Sequence, residues 1–171
     1  MVNEIDGPLE QKAAPGAHGY RGSVACQAAG ISYRQLDYWA RTGLVVPSIR
    51  MAAGSGSARL YSFRDILLLK VIKRFLSAGV SLQNIRAAVE HLTARGTADL
   101  STITLMSDGS SIYECTNSDE VYDLLQGGQG VFGIAIGRVW NEVEGTLVAL
   151  EDAKEASNLD ELSQRRQAKL A

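Results

Sequence analysis

From Tyr33 to Arg41 the chain reads Tyr-Arg-Gln-Leu-Asp-Tyr-Trp-Ala-Arg. At the helical turn of about 100° per residue, Arg34, Tyr38 and Arg41 fall within about 60° of one another, and Leu36 and Ala40 lie opposite. One face is then core, and the other is two arginines flanking a tyrosine. A guanidinium grips O6 and N7 of guanine with two hydrogen bonds, or a phosphate with one or two, and a phenolic hydroxyl donates to a phosphate. Taken alone, such a face is an ordinary solvated surface. Its meaning depends on what holds it.

The flanking residues supply a holder. Ser23–Ala29 reads as a short helix with Val24 and Ala28 on one side. Gly30-Ile31-Ser32 reads as a turn, with Ser32 and Gln35 in the spacing of a capping box for the helix that follows, which stops at Gly43. The stretch from Ser48 to Ser62, with Arg50 and Arg59 on either side of a Gly/Ser-rich tip, predicts a β-hairpin or wing. Ser62 and Asp65 cap a third helix whose apolar stripe holds Phe63, Ile66, Leu67, Val71 and Phe75. Ser81 caps a fourth, with Leu82, Ile85, Val89 and Leu92. The order is helix, turn, helix, wing, helix, helix. That arrangement places a recognition helix in a DNA major groove.

Charge divides the 171 residues in the same way. From His18 to Arg95 there are 11 Lys and Arg against 3 Asp and Glu, and from Gly96 onward 5 against 13. A basic first part suits a polyanion, although basic residues also solvate helix faces without any partner. The second part contains a hairpin signal around Ser107-Asp108-Gly109 and a short helix capped by Asn117 and Glu120 that runs to about Gln126. An ambiguous stretch follows from Val131, read as strand for six residues and helix thereafter. The expected fold is mainly α with short β elements: an N-terminal winged helix-turn-helix plus a small α+β C-terminal module. Residues 1–17 are expected to be a disordered arm, 18–95 the DNA-binding domain, 96–152 a regulatory or dimerising module, and 153–171 a polar tail.

The runs Val24–Ser48 and Ala58–Ile85 closely resemble the MerR family of bacterial regulators. Arg34, Leu36, Tyr38, Trp39, Gly43 and Leu44 match the family's recognition-helix core. Arg59, Tyr61 and Ser62 match its wing exit, and Gly79 to Ile85 its helix-four signature. The variant RQLDYWARTGLV is most similar to an actinobacterial branch, some of whose members act on cell-division genes. The resemblance implies a sequence-specific regulator that binds an inverted repeat as a homodimer and distorts promoter DNA. It implies Tyr33, Arg34, Gln35, Tyr38, Arg41, Arg50, Arg59 and Tyr61 as the DNA-binding residues. The partners it implies are double-stranded DNA, a second copy of the chain and RNA polymerase. The competing readings are an architectural DNA-bending protein and an adaptor whose acidic part docks another protein.

Two departures from the family stand out. Asp37 takes a position where relatives usually carry arginine. It either pairs with Arg41 one turn on or accepts from a cytosine amino group. Gly96 and a hairpin interrupt the path from helix four into the long helix through which family members pair. The C-terminal module therefore becomes the candidate dimer seam, through Ile103–Leu105 and Val131–Ile136, unless those stretches are its own core.

Other signals are weaker. Gly128-Gln129-Gly130-Val131-Phe132-Gly133 matches a dinucleotide fingerprint, but follows a helix-like run instead of a strand, so a plain turn is the better reading. Cys26, Cys115, His18 and His91 are scattered singly, against a metal site or a disulfide framework. The carboxylates after Gly96 read as caps and solvated faces, against an enzyme. No cofactor, effector ligand or membrane partner is indicated. No apolar run approaches the ~20 residues of a span, and the acidic N-terminus lacks a signal-peptide core, so a cytoplasmic location is expected.

Overall fold

The computed structural model describes residues 18–51, 58–96, 98–120 and 132–170. In chain order the elements are β1 (Tyr20–Arg21), α1 (Gly22–Ala29), α2 (Tyr33–Arg41), β2 (Leu60–Tyr61), α3 (Phe63–Ser77) and α4 (Leu82–Thr93). A 3-10 turn (Ala98–Thr102), β3 (Thr104–Ser107), β4 (Ile112–Cys115), β5 (Phe132–Ala135) and α5 (Ile136–Leu170) complete them.

The capping logic of the sequence is realised. Ser32 Oγ accepts from the Gln35 amide while Gln35 Oε1 accepts from the Ser32 amide at 3.0 Å. Ser62 and Asp65 form the same box at α3, and Ser81 caps α4 through the Asn84 amide. Gly43 takes φ +71°, and the Leu44 amide reaches back to the Trp39 carbonyl at 2.9 Å, so α2 ends in the left-handed turn that favours glycine.

The segment expected as a wing has an unforeseen partner. Arg50 and Leu60 exchange both backbone hydrogen bonds across its base, while Leu60–Tyr61 pairs antiparallel with Tyr20–Arg21. Sequence patterning alone places the first element at Ser23. A two-residue strand carries too little alternation to announce itself, and pairing across about forty residues leaves no local trace. The wing tip lies outside the described residues.

Fifteen-residue α3 is buried almost all round, with Leu68, Leu69 and Ile72 enclosed as well as the predicted stripe. A helix apolar on every side belongs inside a core. What covers the second side is α5, which packs on both α3 and α1. Phe63 meets Trp140 with ring centroids 4.6 Å apart, and Phe75 meets Phe132 at 6.0 Å. One apolar cluster runs from Val24 through Phe75 to Leu147, so the boundary drawn at Arg95 and Gly96 does not interrupt the core.

The hairpin around Asp108 forms as read, and β5 joins the other edge of β3 to give an antiparallel sheet in the order β4-β3-β5. Ile103, Leu105, Ile134 and Ile136 are each at most 2% exposed inside this chain's own core. These four side chains are therefore core of this chain, as the second of the two readings has it. The Asn117–Glu120 cap is present, with the Glu120 amide donating to Asn117 Oδ1 at 2.9 Å. The remainder of that expected helix, and most of the Gly128–Gly133 turn, lie outside the described residues.

The strand-then-helix reading of the stretch after Val131 matches β5 and α5 closely. The stretch after residue 152, expected as a polar tail, instead continues α5 as helix through Leu170. Ala, Glu, Lys, Gln, Arg and Leu dominate it, with no glycine or proline after Gly145.

Candidate nucleic-acid interface

Leu36, Trp39 and Ala40 fix one side of α2 in the core, at 7% exposure or less. The opposite side is open: Tyr33 is 65% and Tyr38 55% exposed, and Arg34 is exposed with no partner among the described residues. Arg41 projects beside them, its side chain 73% exposed. The helical spacing thus brings Arg34, Tyr38 and Arg41 together as read, with Tyr33 at the edge.

Other expected contacts are placed differently. Gln35 is half-buried, and its amide oxygen is used in the capping box, so its part in the surface is structural first. Tyr61 is wholly buried, and its hydroxyl has no hydrogen-bond partner. The whole side chain is core, where β2 packs on α1 and α3. Burial raises that hydroxyl's pKa, partly opposed by the adjoining Arg59 guanidinium. Arg50 is exposed, and its Nε donates to the Ala58 carbonyl at 3.1 Å, bracing the wing base.

Asp37 joins the pieces. Its Oδ2 lies 2.5 Å from Arg41 Nη2, the pairing expected from the sequence. Its Oδ1 accepts from Arg59 Nη1 at 2.8 Å, a contact from the segment expected as a wing to α2 that no local spacing could reveal. The Arg59 hydrogen bond, with Arg41 behind it, holds the Asp37 carboxyl below its ordinary range, and Asp37 in turn raises the Arg59 guanidinium.

Between these residues and the start of α1 lies a cleft of about 440 Å³, lined by Gly22, Ser23, Tyr33, Asp37, Arg59 and Tyr61 among others. Arg21 precedes α1 without any side-chain cap, which leaves first-turn amides facing this region. Arg21, Gly22 and Ser23 were missed by the sequence reading. The one signal available was an arginine immediately ahead of a helix that lacks a Ser, Thr, Asp or Asn cap.

Not all of the basic charge belongs to this surface. Arg74 clasps Glu142 of α5 through both carboxylate oxygens at 2.6–2.7 Å, with Lys70 3.6 Å away. Burial alone would push the Glu142 carboxyl up, but Arg74 and Lys70 outweigh it and leave it depressed. Arg95 and His91 meet Glu114 of β4 at 2.5 and 2.7 Å. Arg64 donates to the carbonyls of Leu92, Thr93 and Arg95 and so caps α4. The basic and acidic halves of the sequence partly neutralise each other in space.

Residues 20–92 match the family described as MerR HTH family regulatory protein. HTH-type transcriptional regulators of Mycobacterium bovis and Mycobacterium tuberculosis are 60% identical over 154 residues, which covers 86% of this chain and 68% of theirs. The chain belongs to the MerR HTH family. As a MerR-family transcriptional regulator it carries its HTH DNA-binding domain in residues 20–92, the stretch that holds α1 to α4. Among the described residues of this MerR-family chain, no helix is long and apolar enough to cross a membrane.

Proposed function

We propose that the chain binds an inverted-repeat operator as a homodimer, with α2 in the major groove and the wing on the flanking backbone, and that it distorts promoter DNA there. The observation that carries this reading is the α2 face. Arg34, Tyr33, Tyr38 and Arg41 are exposed together on a helix whose other side is locked in the core. Arg34 is assigned to a base edge, and Arg41, Arg50 and Arg59 to phosphates. The cleft at the α1 N-terminus, with Arg59 in its lining, suits a backbone phosphate. DNA as the partner implies a cytoplasmic location, and family membership supports RNA polymerase as a second partner.

Support for a second copy comes from α5. Residues 151–168 are exposed, and Val148, Leu159 and Leu162 are 52%, 66% and 52% exposed. With Ala156 they fall within about 120° on the helix. Among the described residues nothing covers its far half, and a helix in water without tertiary packing is only marginally stable. The same face carries Asp152 and Glu155 before Leu159, and Arg166 after it. Two copies laid antiparallel about Leu159 set acid against base at both ends.

The deciding experiment is selection of duplexes from a random-sequence library by the full chain, followed by footprinting. One palindromic site supports the operator reading. Many unrelated sites with equal affinity would instead favour an architectural DNA-bending protein.

A further inference from the structure

Asp37 is an anion on a surface that the proposed function aims at a polyanion. Of the three acidic residues between His18 and Arg95, Asp65 is buried in the α3 cap, where it also accepts from the Ser48 amide and hydroxyl at 2.8 and 2.7 Å. Glu90 lies on α4. Asp37 alone of the three stands on the α2–wing face, its side chain 26% exposed. A free carboxylate there would only repel DNA. This one engages two arginines, one on its own helix and one 22 residues away on the wing.

We propose that Asp37 is the positioning residue of the DNA-reading surface. It ties Arg59 of the wing and Arg41 of the recognition helix to one carboxylate, which lowers affinity for arbitrary DNA and raises selectivity for the operator. The proposal rests on the DNA-binding reading above. Among the described residues, the wing pairs through two strand residues and one bridge, and none of these backbone contacts fixes the long Arg59 side chain. The Asp37 bond restricts Arg59 to one arrangement, 22% exposed, at the edge of the cleft beside Tyr61. Ordering a flexible side chain before binding removes that cost from the complex. Non-specific binding needs no such order and responds to net charge, so the carboxylate opposes it. Selectivity is the difference between the two.

The test uses the full chain, the duplex most enriched from a random-sequence library by the wild type, and a scrambled duplex of equal length. Asp37→Asn should bind the scrambled duplex more tightly and the selected one more weakly, lowering their affinity ratio by about tenfold or more. In a double-mutant cycle, Asp37→Asn combined with Arg59→Ala should lose no more selectivity than Arg59→Ala alone. An unchanged ratio in Asp37→Asn overturns the proposal, as does a loss of both affinities by a common factor with a lowered Tm, which would make Asp37 a fold residue. Failure of the wild type to enrich any sequence would instead remove the operator reading, before any variant is compared.

Discussion

At the scale of single residues, the side chains proposed to face DNA divide by how freely they stand. Arg34 has no partner among the described residues, which suits a group that must reorganise onto a base edge. Arg34→Ala should cost about 1–3 kcal/mol against the selected duplex and flatten preference at one base position. Competition binding with a single-substitution duplex series checks both. Tyr38→Phe removes one hydroxyl and keeps the exposed ring, so it should weaken selected and scrambled duplexes by similar factors. A change in base preference on Tyr38→Phe would move that residue from the backbone to a base.

Other carboxylates act on the fold. Asp108 accepts from the Ser111 and Ser110 amides, the Ser110 hydroxyl and the Tyr113 hydroxyl, and these bonds lower its pKa from 3.8 to about 2. A depressed folded pKa stabilises the protein above the unfolded value and loses that contribution as pH falls through the folded one. Denaturant midpoints should therefore decline between about pH 4 and 2, and Asp108→Asn should flatten that part of the profile. An equal slope in the variant would place the acid sensitivity elsewhere, with Glu142 and Asp37 next in line because both are also depressed.

At the scale of elements, the central fact is that α5 completes the DNA-binding half. Val139, Val143 and Leu147 are buried in the same cluster as Ile66 and Phe75. Leu147→Ala should cost about 2–5 kcal/mol and lower one cooperative melt of the whole chain. Two separate transitions, with only one shifted, would restore the division into independent domains. A fragment ending at Arg95 would uncover α3, so it is a poor probe of dimerisation, and point substitutions on α5 serve better.

For the whole molecule, charge governs both proposed assemblies. Arg21, Arg34, Arg41, Arg50 and Arg59 of each protomer lie on or beside the α2–wing face, whereas Lys70, Arg74 and Arg95 are engaged with α5 and β4. With six to ten phosphates met by a dimer, affinity should fall by about 10³–10⁵ between 50 and 200 mM salt, and a flat salt plot would exclude this face. The dimer has its own test. Asp152→Lys/Glu155→Lys and Arg165→Glu/Arg166→Glu should each be monomeric by ultracentrifugation, and an equal mixture should form heterodimers. Dimers of either variant alone would place the seam away from α5.

Much of this was legible in the sequence because it is local. Caps, left-handed turns and the 100° spacing of Arg34, Tyr38 and Arg41 involve residues within one or two turns of each other. The motif matches fall in the same stretch. Hence α1 to α4, the Asp108 hairpin and the strand-to-helix switch near Ile136 were readable, and so was the exposed face of α2. Tertiary structure decided what depends on distant residues meeting. The Tyr20–Arg21 strand under the wing and the Arg59–Asp37 tie are of this kind, as are the burial of Tyr61 and the fold of α5 onto α3. Each is a contact between segments with no shared periodicity. Charge composition counts ions without their neighbours, so only the structure showed which basic residues face outward and which are held by the acidic half.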